Sequence, residues 1–426
     1  LYQVLSEGMT QFQEVGEVWL SESVRHLRVL PPPEVSMGVS LGGGWLDLKI
    51  ETAGINPAEL LQVLSEYRQK KKYYRMKNGE FLQLSGGGLQ ALDSLTADLG
   101  LTKSEFQAGE AKIPAYRAFY LDSLSGDGRM KLFQRDEAYG MMVRDLKTAQ
   151  SVSYAVPAVL EKTLREYQKI GYTWMRTLAR YHFGGILADD MGLGKTLQTI
   201  TYVLANPGTR TLIVCPTSLA YNWQDEFSKF APQIATQIIS GTPQERADLM
   251  QQSTDVPVWI TTYPLIRKDV DLYKAQIFDA CFIDEAQFIK NPTSLGAKAV
   301  KAVQAKHRFA LTGTPIENTL SELWSIFDFV MPGFFGRYRQ FEECYEKPIL
   351  RDHDSVQMQK LRRKIRPFVL RRMKKEVLTE LPDKIETRRM AEMGAKQRKI
   401  YESYLARIQM ELAGDEENTP GGNRMQ

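Results

Sequence analysis

The pattern of apolar and polar residues changes near residue 160. Before that point, short runs alternate apolar and polar residues, which is the period of a half-buried strand. We expect strands at residues 15–20, 45–50, 73–77 and 81–84. Asn78-Gly79 lies between the last two, and both residues accept a positive φ, so this pair predicts a hairpin turn. Helical spacing after Pro57 predicts a helix over 57–67. The first ~160 residues are therefore expected to form a mixed α+β region.

After residue 160 the apolar runs become continuous and rich in β-branched residues, and helical stretches separate them. These runs lie at 185–188, 211–215, 258–261, 280–283 and 308–312. Buried strands in this arrangement are typical of a parallel sheet covered by helices on both faces. Residues 320–380 have the spacing of amphipathic helices, and 413–426 resemble a loop or frayed tail.

The overall composition excludes several classes of protein. A length of 426 residues allows two to four domains at ~100–200 residues each. Hydrophobic residues make up 43% and charged residues 25%, which excludes a disordered chain and a collagen-like fibre. The 3 cysteines are widely spaced, which indicates a reducing compartment, no disulfide scaffold and no structural zinc site. No apolar run reaches the ~18 residues of a spanning helix, so no membrane contact is expected.

The positive charge is unevenly distributed. The formal net charge is +4, and the basic excess lies in the last quarter of the chain. It concentrates in the run Lys360–Lys375, which contains no acidic residue. On charge alone, a solvated helix face and a contact with a polyanion are equally open.

The segment 185–200 has the order expected of a phosphate-binding loop: an apolar strand, a glycine-bearing loop and a helix. Gly192 and Gly194 would let backbone N–H groups turn toward phosphate oxygens at the helix N-terminus. Lys195 would reach the β- and γ-phosphates, and the Thr196 hydroxyl would bind Mg²⁺. The general pattern has glycine at its first position, where this chain has Asp189.

Two acids end a later apolar strand, and two hydroxyls follow another. Asp284 closes the run 278–284 and Glu285 follows it. The first acid could hold Mg²⁺ and the second could accept a proton from the attacking water. The segment Thr312-Gly-Thr-Pro315 would bring its hydroxyls to the same edge of the sheet.

These motifs, in this order, resemble helicase superfamily 2, and more narrowly the SWI/SNF-related family of DNA-translocating ATPases. The resemblance rests on Gln168, Asp189–Thr196, Asp284–Gln287 and Leu311–Asn318. The family's own spelling of the loop includes the acid found at Asp189. Further similar segments are Leu164–Gln168 with Gly171 and Trp174, Cys215–Phe227, Thr261–Leu265 and Ile289–Pro292. The first ~160 residues resemble the helicase-associated region of bacterial members.

The resemblance implies an α/β fold with a RecA-like first helicase lobe at 156–320, preceded by a smaller α+β domain at 1–155. A helical protrusion and basic connector would follow at 321–380, and the start of a second lobe or a frayed tail at 381–426. ATP and Mg²⁺ are the implied cofactors. Asp284, Glu285 and Lys195 would be catalytic, with Thr196 and Asp284 holding the metal. The implied ATP-binding residues are Arg165, Gln168, Asp190, Met191, Gly192, Leu193, Gly194, Lys195 and Thr196. The implied residues that couple hydrolysis to movement are Gln287, Thr312, Gly313 and Thr314.

The resemblance also implies sequence-tolerant contacts with the phosphates of double-stranded DNA. The implied DNA contacts are Thr217, Ser218, Thr262, Tyr263, Lys290, Asn291, Arg371 and Arg372. The basic run containing the last two would serve inter-lobe or DNA contacts. For Trp223, packing in the core is favoured over a DNA contact.

The family has a second RecA-like lobe that supplies an arginine to the transition state, and we find no such motif after residue 381. Because the chain starts with Leu1, we expect a piece of a longer protein. The resemblance implies that this protein is bacterial, cytoplasmic and nucleoid-associated. That protein would hydrolyse ATP in a DNA-stimulated way and remodel nucleoprotein, with a nucleoprotein or polymerase as partner. This chain alone would hydrolyse ATP poorly. A nucleotide-dependent binding module without turnover and an RNA-directed helicase remain the alternatives.

Overall fold

The computed structural model describes most of the chain between residues 8 and 417. It does not describe residues 1–7, 20, 22–26, 34, 53–54, 56, 86, 100, 120, 123–130, 148–152, 314–318, 378–391 and 418–426. The chain divides into two compact units, 1–377 and 378–426.

A seven-stranded, fully parallel sheet forms the centre of the first unit. Its strands are β8 (Gly185–Leu187), β9 (Thr211–Cys215), β10 (Thr236–Ile238), β11 (Val258–Thr262), β12 (Ile277–Asp284), β13 (Gln304–Leu311) and β14 (Val369–Leu370). Their order is β10-β11-β9-β12-β13-β8-β14. Every residue of β8, β9 and β11 is buried, which explains their continuous apolar sequences.

The carboxyl ends of four neighbouring strands lie in one row. Leu187 of β8 is paired with Leu311 of β13 and with Leu370 of β14, and Leu311 is paired with Asp284 of β12. The loops that follow these strands therefore leave the sheet side by side. In parallel α/β sheets this edge is where ligands bind.

Helices pack around this sheet and continue into an aromatic-rich segment. They are α6 (Glu166–Arg180), α7 (Lys195–Leu204), α8 (Ala220–Phe230), α9 (Pro243–Gln252), α10 (Tyr263–Lys268), α11 (Val270–Lys274), α12 (Leu295–Lys301), α13 (Leu320–Val330), α14 (Tyr338–Phe341), α15 (Lys347–Leu350), α16 (Ser355–Ile365) and α17 (Lys374–Val377). Between α14 and α15 the segment Glu342–Glu346 is π-helical. Phe327, Phe334, Phe335 and Phe341 form a ring cluster that joins α13 to the segment after it.

The N-terminal part combines two small sheets with helices. Strands β2 (Val35–Gly42), β3 (Trp45–Thr52), β6 (Glu110–Pro114) and β7 (Lys131–Arg135) form one sheet, and β1 (Val29–Leu30), β4 (Tyr73–Arg75) and β5 (Phe81–Gln83) form the other. The helices are α1 (Met9–Val15), α2 (Pro57–Arg68), α3 (Gly87–Leu99), α4 (Lys103–Ala108) and α5 (Glu137–Lys147). Burial alternates along β3, as its sequence pattern predicts.

Phe119 of this part meets Phe368, which follows α16, ring to ring at 5.5 Å. Tyr116 donates a hydrogen bond from its hydroxyl to Gly333 O at 3.1 Å. The N-terminal part therefore packs on both ends of the segment 333–368.

The predicted fold class is confirmed: a parallel sheet surrounded by helices follows a smaller α+β region. The hairpin around Asn78-Gly79 and the helix after Pro57 are also confirmed. The strand expected at 15–20 is wrong over its described residues, because Val15 ends α1 and 16–19 are irregular. In the large sheet β10 and β14 were not predicted, because with three and two residues they are too short to show a period. In the N-terminal part β1, β2, β6 and β7 were not predicted either.

In the second unit the structure describes one long helix, α18 (Ala395–Glu417). The loop or tail expected from residue 413 is therefore wrong up to Glu417, and 418–426 lie outside the described residues. Across the part of the chain that the structure describes, no helix is both long and apolar enough to cross a membrane.

Candidate functional site

The loop between β8 and α7 has the backbone of a phosphate cradle. Gly192 and Gly194 adopt positive φ angles of 85° and 76°, and Gly194 precedes the first turn of α7. Only glycine takes up this conformation without strain. A Cβ at Gly194 would also lie 2.4 Å from Gln168 Nε2, so a larger residue would displace the Gln168 amide. The loop presents N–H groups and the positive end of a helix at one point, as phosphate binding requires.

Gln168 fastens α6 to this loop. Its side chain is buried, and Nε2–H donates to Leu193 O at 3.1 Å. Its Oε1 accepts from the backbone N–H of Arg165, which is exposed, at 3.0 Å. The glutamine on the adenine side of the family motif is thus in direct contact with the phosphate loop.

Lys195 lies at the start of α7 and faces several acids. Its amine donates to the carbonyl of Asp189 at 2.8 Å. Burial lowers the pKa of Lys195, while the charges of Glu285, Asp284 and Asp189 oppose that shift. The charge of Lys195 therefore interacts with the charges of the two acids at the end of β12.

Asp284 is held at the end of β12 by two donors. Trp223 Nε1–H donates to Oδ2 at 3.0 Å and the backbone N–H of Glu285 donates to Oδ1 at 2.9 Å. Burial raises the pKa of Asp284 above its ordinary value of 3.8, with Glu285 adding to the rise and the Trp223 hydrogen bond opposing it. Each carboxylate oxygen keeps capacity for a further contact. Asp284 is therefore oriented but not fully occupied.

Glu285 belongs to a side-chain relay that crosses to β13. Gln287 Nε2–H donates to Glu285 Oε2 at 2.8 Å, and the Thr312 hydroxyl donates to Gln287 Oε1 at 3.2 Å. Glu285 has φ 52°, a left-handed conformation that is rare outside glycine and is typical of functional sites. The relay connects the proposed general base to the strand next to the phosphate loop.

The remaining loop residues have distinct positions. Met191 is exposed and its side chain lies against Gly313, where a Cβ would come within 3.1 Å of Met191 Cγ. Thr196 is half-buried in the first turn of α7. Thr314, expected to couple hydrolysis to movement, lies outside the described residues.

The residues present fit Mg·ATP. The glycine cradle, Lys195 and the helix N-terminus supply positive groups for a triphosphate. Thr196 and Asp284 supply hard oxygen ligands, which Mg²⁺ prefers, and Asp284 has lone pairs left for a metal-bound water.

Three of the expected DNA contacts are placed elsewhere by the structure. Arg372 is largely buried, and its guanidinium binds Asp189, Gln198 and the Tyr167 carbonyl. Thr262 and Tyr263 are 4% and 5% exposed. The Tyr263 hydroxyl donates to Asp284 O at 2.7 Å and its ring stacks on Phe288. Thr262 and Tyr263 are buried at the end of β11, and Arg372 pairs with the buried Asp189. These three expectations are therefore corrected.

The other expected DNA contacts are exposed. They are Thr217, Ser218, Lys290, Asn291 and Arg371, all in segments that follow the carboxyl ends of strands. Lys290 and Asn291 line a cavity of ≈ 370 Å³ beside the start of α13.

Two side chains at the site were missed as functional by sequence reasoning. Trp223 is buried as predicted, but its ring N–H also orients Asp284. Gln198 joins Asp189 and Arg372 through its amide. Nothing in the sequence separates this Trp from a packing residue. Asp189 did carry a signal, because an acid replaces the usual glycine of the loop.

Two family models match the chain. Residues 167–421 match the SNF2-related domain, and residues 1–157 match the bacterial SNF2 helicase-associated domain. The first match covers more than half of the chain.

Similar curated proteins include the TATA-binding protein-associated factor MOT1 of Saccharomyces cerevisiae, 37% identical over 62% of this chain and 16% of its own length. An uncharacterized ATP-dependent helicase of Mycoplasma pneumoniae is 43% identical over 56% of this chain and 23% of its own length. The chain thus spans less than a quarter of either relative. Among solved structures, the Sulfolobus solfataricus SWI2/SNF2 ATPase core in complex with dsDNA is 39% identical, with a TM-score of 0.47 over 61% of this chain and 54% of that one.

The matched segment contains the phosphate loop, the paired acids and the Gln287–Thr312 relay described above. The chain belongs to the SNF2-related family of helicase-like ATPases, with a bacterial SNF2 helicase-associated domain at its N-terminal end.

Proposed function

We propose that this chain is the ATP-binding lobe of an ATP-dependent translocase that moves on double-stranded DNA. The observation that carries the proposal is the shared row of strand ends, which brings the phosphate loop, Asp284 and Thr312 together. The names of the relatives, among them an ATP-dependent helicase, support the same class of activity.

In this proposal each side chain has one role. Lys195 and the N–H groups of 192–196 hold the β- and γ-phosphates. Thr196 and Asp284 hold Mg²⁺, which when bound neutralises charge on the phosphates. Glu285, oriented by Gln287, accepts the proton of the attacking water. Thr312, the residue after β13, responds to the protonation or contacts of Glu285 through the same amide.

The DNA part of the proposal rests on exposed polar and basic residues at the carboxyl edge of the sheet. Lys290, Asn291 and Arg371 are exposed there and carry donors that suit backbone phosphates. Turnover by this chain alone is proposed to be low, and the longer protein is proposed to supply the DNA-stimulated activity. A bacterial, cytoplasmic setting and a nucleoprotein target stay part of the proposal.

The first experiment is a titration of the chain with a fluorescent ATP analogue and Mg²⁺. Lys195→Ala should weaken binding on the order of 100-fold, ~2.8 kcal/mol, because a charge-assisted contact to the phosphates is lost. Lys49→Ala is the matched control, since Lys49 is 60% exposed on β3, and it should bind like the wild type. Equal affinity of the Lys195 variant and the wild type would refute the phosphate-loop assignment.

Turnover is then measured with duplex DNA, with RNA and without nucleic acid, using Lys195→Ala as the blank. Binding with turnover near the blank is the expected result for this chain. Turnover that RNA stimulates and DNA does not would overturn the DNA assignment.

A further inference from the structure

Asp189 is an acid buried in the first position of the phosphate loop. Its side chain is 0% exposed, so the carboxylate requires compensating partners. Arg372 supplies them as a fork: Nε–H donates to Oδ1 at 2.8 Å, and Nη2–H donates to Oδ2. Gln198 Nε2–H adds a further donor to Oδ2 at 3.2 Å. Bidentate pairing of this kind is both strong and directional.

The same residue also controls the lysine of the loop. The carbonyl of Asp189 accepts the hydrogen bond from Lys195 Nζ at 2.8 Å, while its side chain accepts the fork of Arg372. A movement of Asp189 therefore changes both contacts at once. Asp189 therefore links Arg372 to Lys195, the residue proposed to hold the phosphates.

Backbone hydrogen bonds extend the attachment along the loop. Ala188 N–H donates to Leu370 O at 2.7 Å, and Asp190 N–H donates to Arg372 O at 3.1 Å. The N–H of Lys374 donates to Asp190 Oδ2 at 2.9 Å. The segment 369–374, here called the strap, thus lies along the first residues of the phosphate loop and continues the sheet from β14.

The strap also contacts the segment that carries Gln168. Arg372 donates to the carbonyl of Tyr167 and its guanidinium lies 5.3 Å from the Tyr167 ring centroid. Gly171 leaves the space that this requires, because a Cβ there would lie 1.8 Å from Gln198 Oε1 and 2.9 Å from Arg372 Nη2. Three segments that would surround a nucleotide therefore meet at one arginine.

The geometry points to Arg372 as a positioning residue for nucleotide binding: its fork to Asp189 holds the phosphate loop in its binding conformation only while the strap is docked. The strap ends three residues before Val377, the last residue of the first compact unit. This inference rests on the proposed function, since it assumes that the loop binds a nucleotide.

The test compares Arg372→Gln, Arg372→Lys and the paired variant Asp189→Asn/Arg372→Gln. Arg351→Gln is the matched control, because Arg351 is exposed. Affinity for fluorescent Mg·ATP and melting temperature are measured on each, together with amide exchange at 186–195 and 369–374. The paired variant leaves no charge buried alone, so it should melt near the wild type.

Both Arg372 variants and the paired variant should bind Mg·ATP at least about tenfold more weakly, the scale of one hydrogen bond to a charged group. Amide exchange should rise in the strap and at 188–194 and stay unchanged at 211–215. A paired variant that melts and binds like the wild type would overturn the inference, because the pair would then be only structural.

The two proposals fail separately. If the wild type itself binds no Mg·ATP, the proposed function fails. The amide-exchange data then still test whether Arg372 orders the loop. Unchanged protection of 186–195 in Arg372→Gln would refute the positioning role.

Discussion

At the scale of single residues, side chains of similar chemistry at the site have different hydrogen-bond partners and surroundings. Asp284 and Glu285 are neighbours in the chain. Burial and the hydrogen bond from Trp223 set the pKa and orientation of Asp284. A left-handed backbone and the hydrogen bond from Gln287 orient Glu285. The two adjacent carboxylates thereby lie in different environments, as their two proposed tasks require.

Replacement of Glu285 tests the second of these tasks. Glu285→Gln should leave Mg·ATP affinity within a few-fold of the wild type and lower turnover by about 10²–10⁴-fold, the usual share of a general base. Single-turnover hydrolysis in the longer, DNA-stimulated protein measures it. Glu226→Gln, at a half-buried position on α8, is the control and should retain full turnover. A Glu285 variant with wild-type turnover would remove Glu285 from the mechanism.

The raised pKa of Asp284 predicts a pH dependence of metal binding. Only the ionised carboxylate suits Mg²⁺, and this group stays ionised only above its raised pKa. The Mg²⁺ dependence of nucleotide binding should therefore weaken as the pH falls through a window that begins above 3.8. Titrations with varied Mg²⁺, taken from neutral pH down to the lowest pH at which the protein stays folded, measure this.

Trp223→Phe supplies the internal comparison for that titration. It removes the hydrogen bond that lowers the pKa of Asp284, so the midpoint of the Mg²⁺ dependence should move to higher pH. The titration of ATP itself is the same in both proteins and cancels. Identical midpoints would show that Asp284 does not control the metal.

At the scale of elements, hydrogen bonds join the segment that follows the carboxyl end of β12 to α13. The loop after Glu285 forms a short helical turn, Ala286–Ile289, and the buried Ser325 hydroxyl donates to Ile289 O at 2.6 Å. Lys301 Nζ donates to the same hydroxyl at 3.2 Å, and Lys290 lies 4.0 Å from Glu322. The surface carrying Lys290 and the acid pair are therefore parts of one rigid connection.

Ser325→Ala should weaken this connection. It leaves the Ile289 carbonyl without its donor and should destabilise the protein by about 1–2 kcal/mol, with faster amide exchange at 286–291. Ser228→Ala is the matched control, because its exposed hydroxyl also donates to a carbonyl and its loss should change stability by less than about 0.5 kcal/mol. Thermal melts and exchange measurements decide it; equal effects of the two variants would contradict the connection.

At the scale of the whole molecule, the exposed residues after β9, β12 and β14 define a surface at one edge of the sheet. We expect duplex DNA to bind there through phosphates, with little dependence on base sequence. Lys290→Gln should weaken binding of unrelated duplexes equally and reduce the slope of log affinity against log salt by about 0.9. Fluorescence anisotropy over a salt series measures this.

The control for that series is Lys268→Gln, at the exposed end of α10. It changes the net charge by the same amount and should leave the slope closer to that of the wild type. A Lys290 variant with an unchanged slope would place the DNA elsewhere. Loss of affinity for one duplex sequence only would contradict a phosphate-based contact.

The sequence by itself determined the parallel sheet, the glycine loop and the acid pair. Each of these depends on local chemistry: continuous apolar runs mark buried strands, glycine permits positive φ, and acids at a strand end reach the binding edge. The order of these motifs was also enough to indicate the family. The assignments of Gln168, Lys195 and Glu285 needed no more than this order, and they stay predictions until binding and turnover are measured.

The tertiary structure alone decided the hydrogen-bond partners of Arg372, Tyr263 and Trp223, although the burial of Trp223 was predicted from the sequence. Their residue types suit a surface contact as well as a buried partner, and the choice depends on Asp189 and Asp284, which are up to 183 positions away in the chain. The strand β14 also depends on the tertiary structure. It is only two residues long and forms by pairing with the edge of β8. A buried acid needs a compensating partner, and the tertiary fold decides which distant residue is close enough to supply it. A local sequence pattern therefore does not identify that partner.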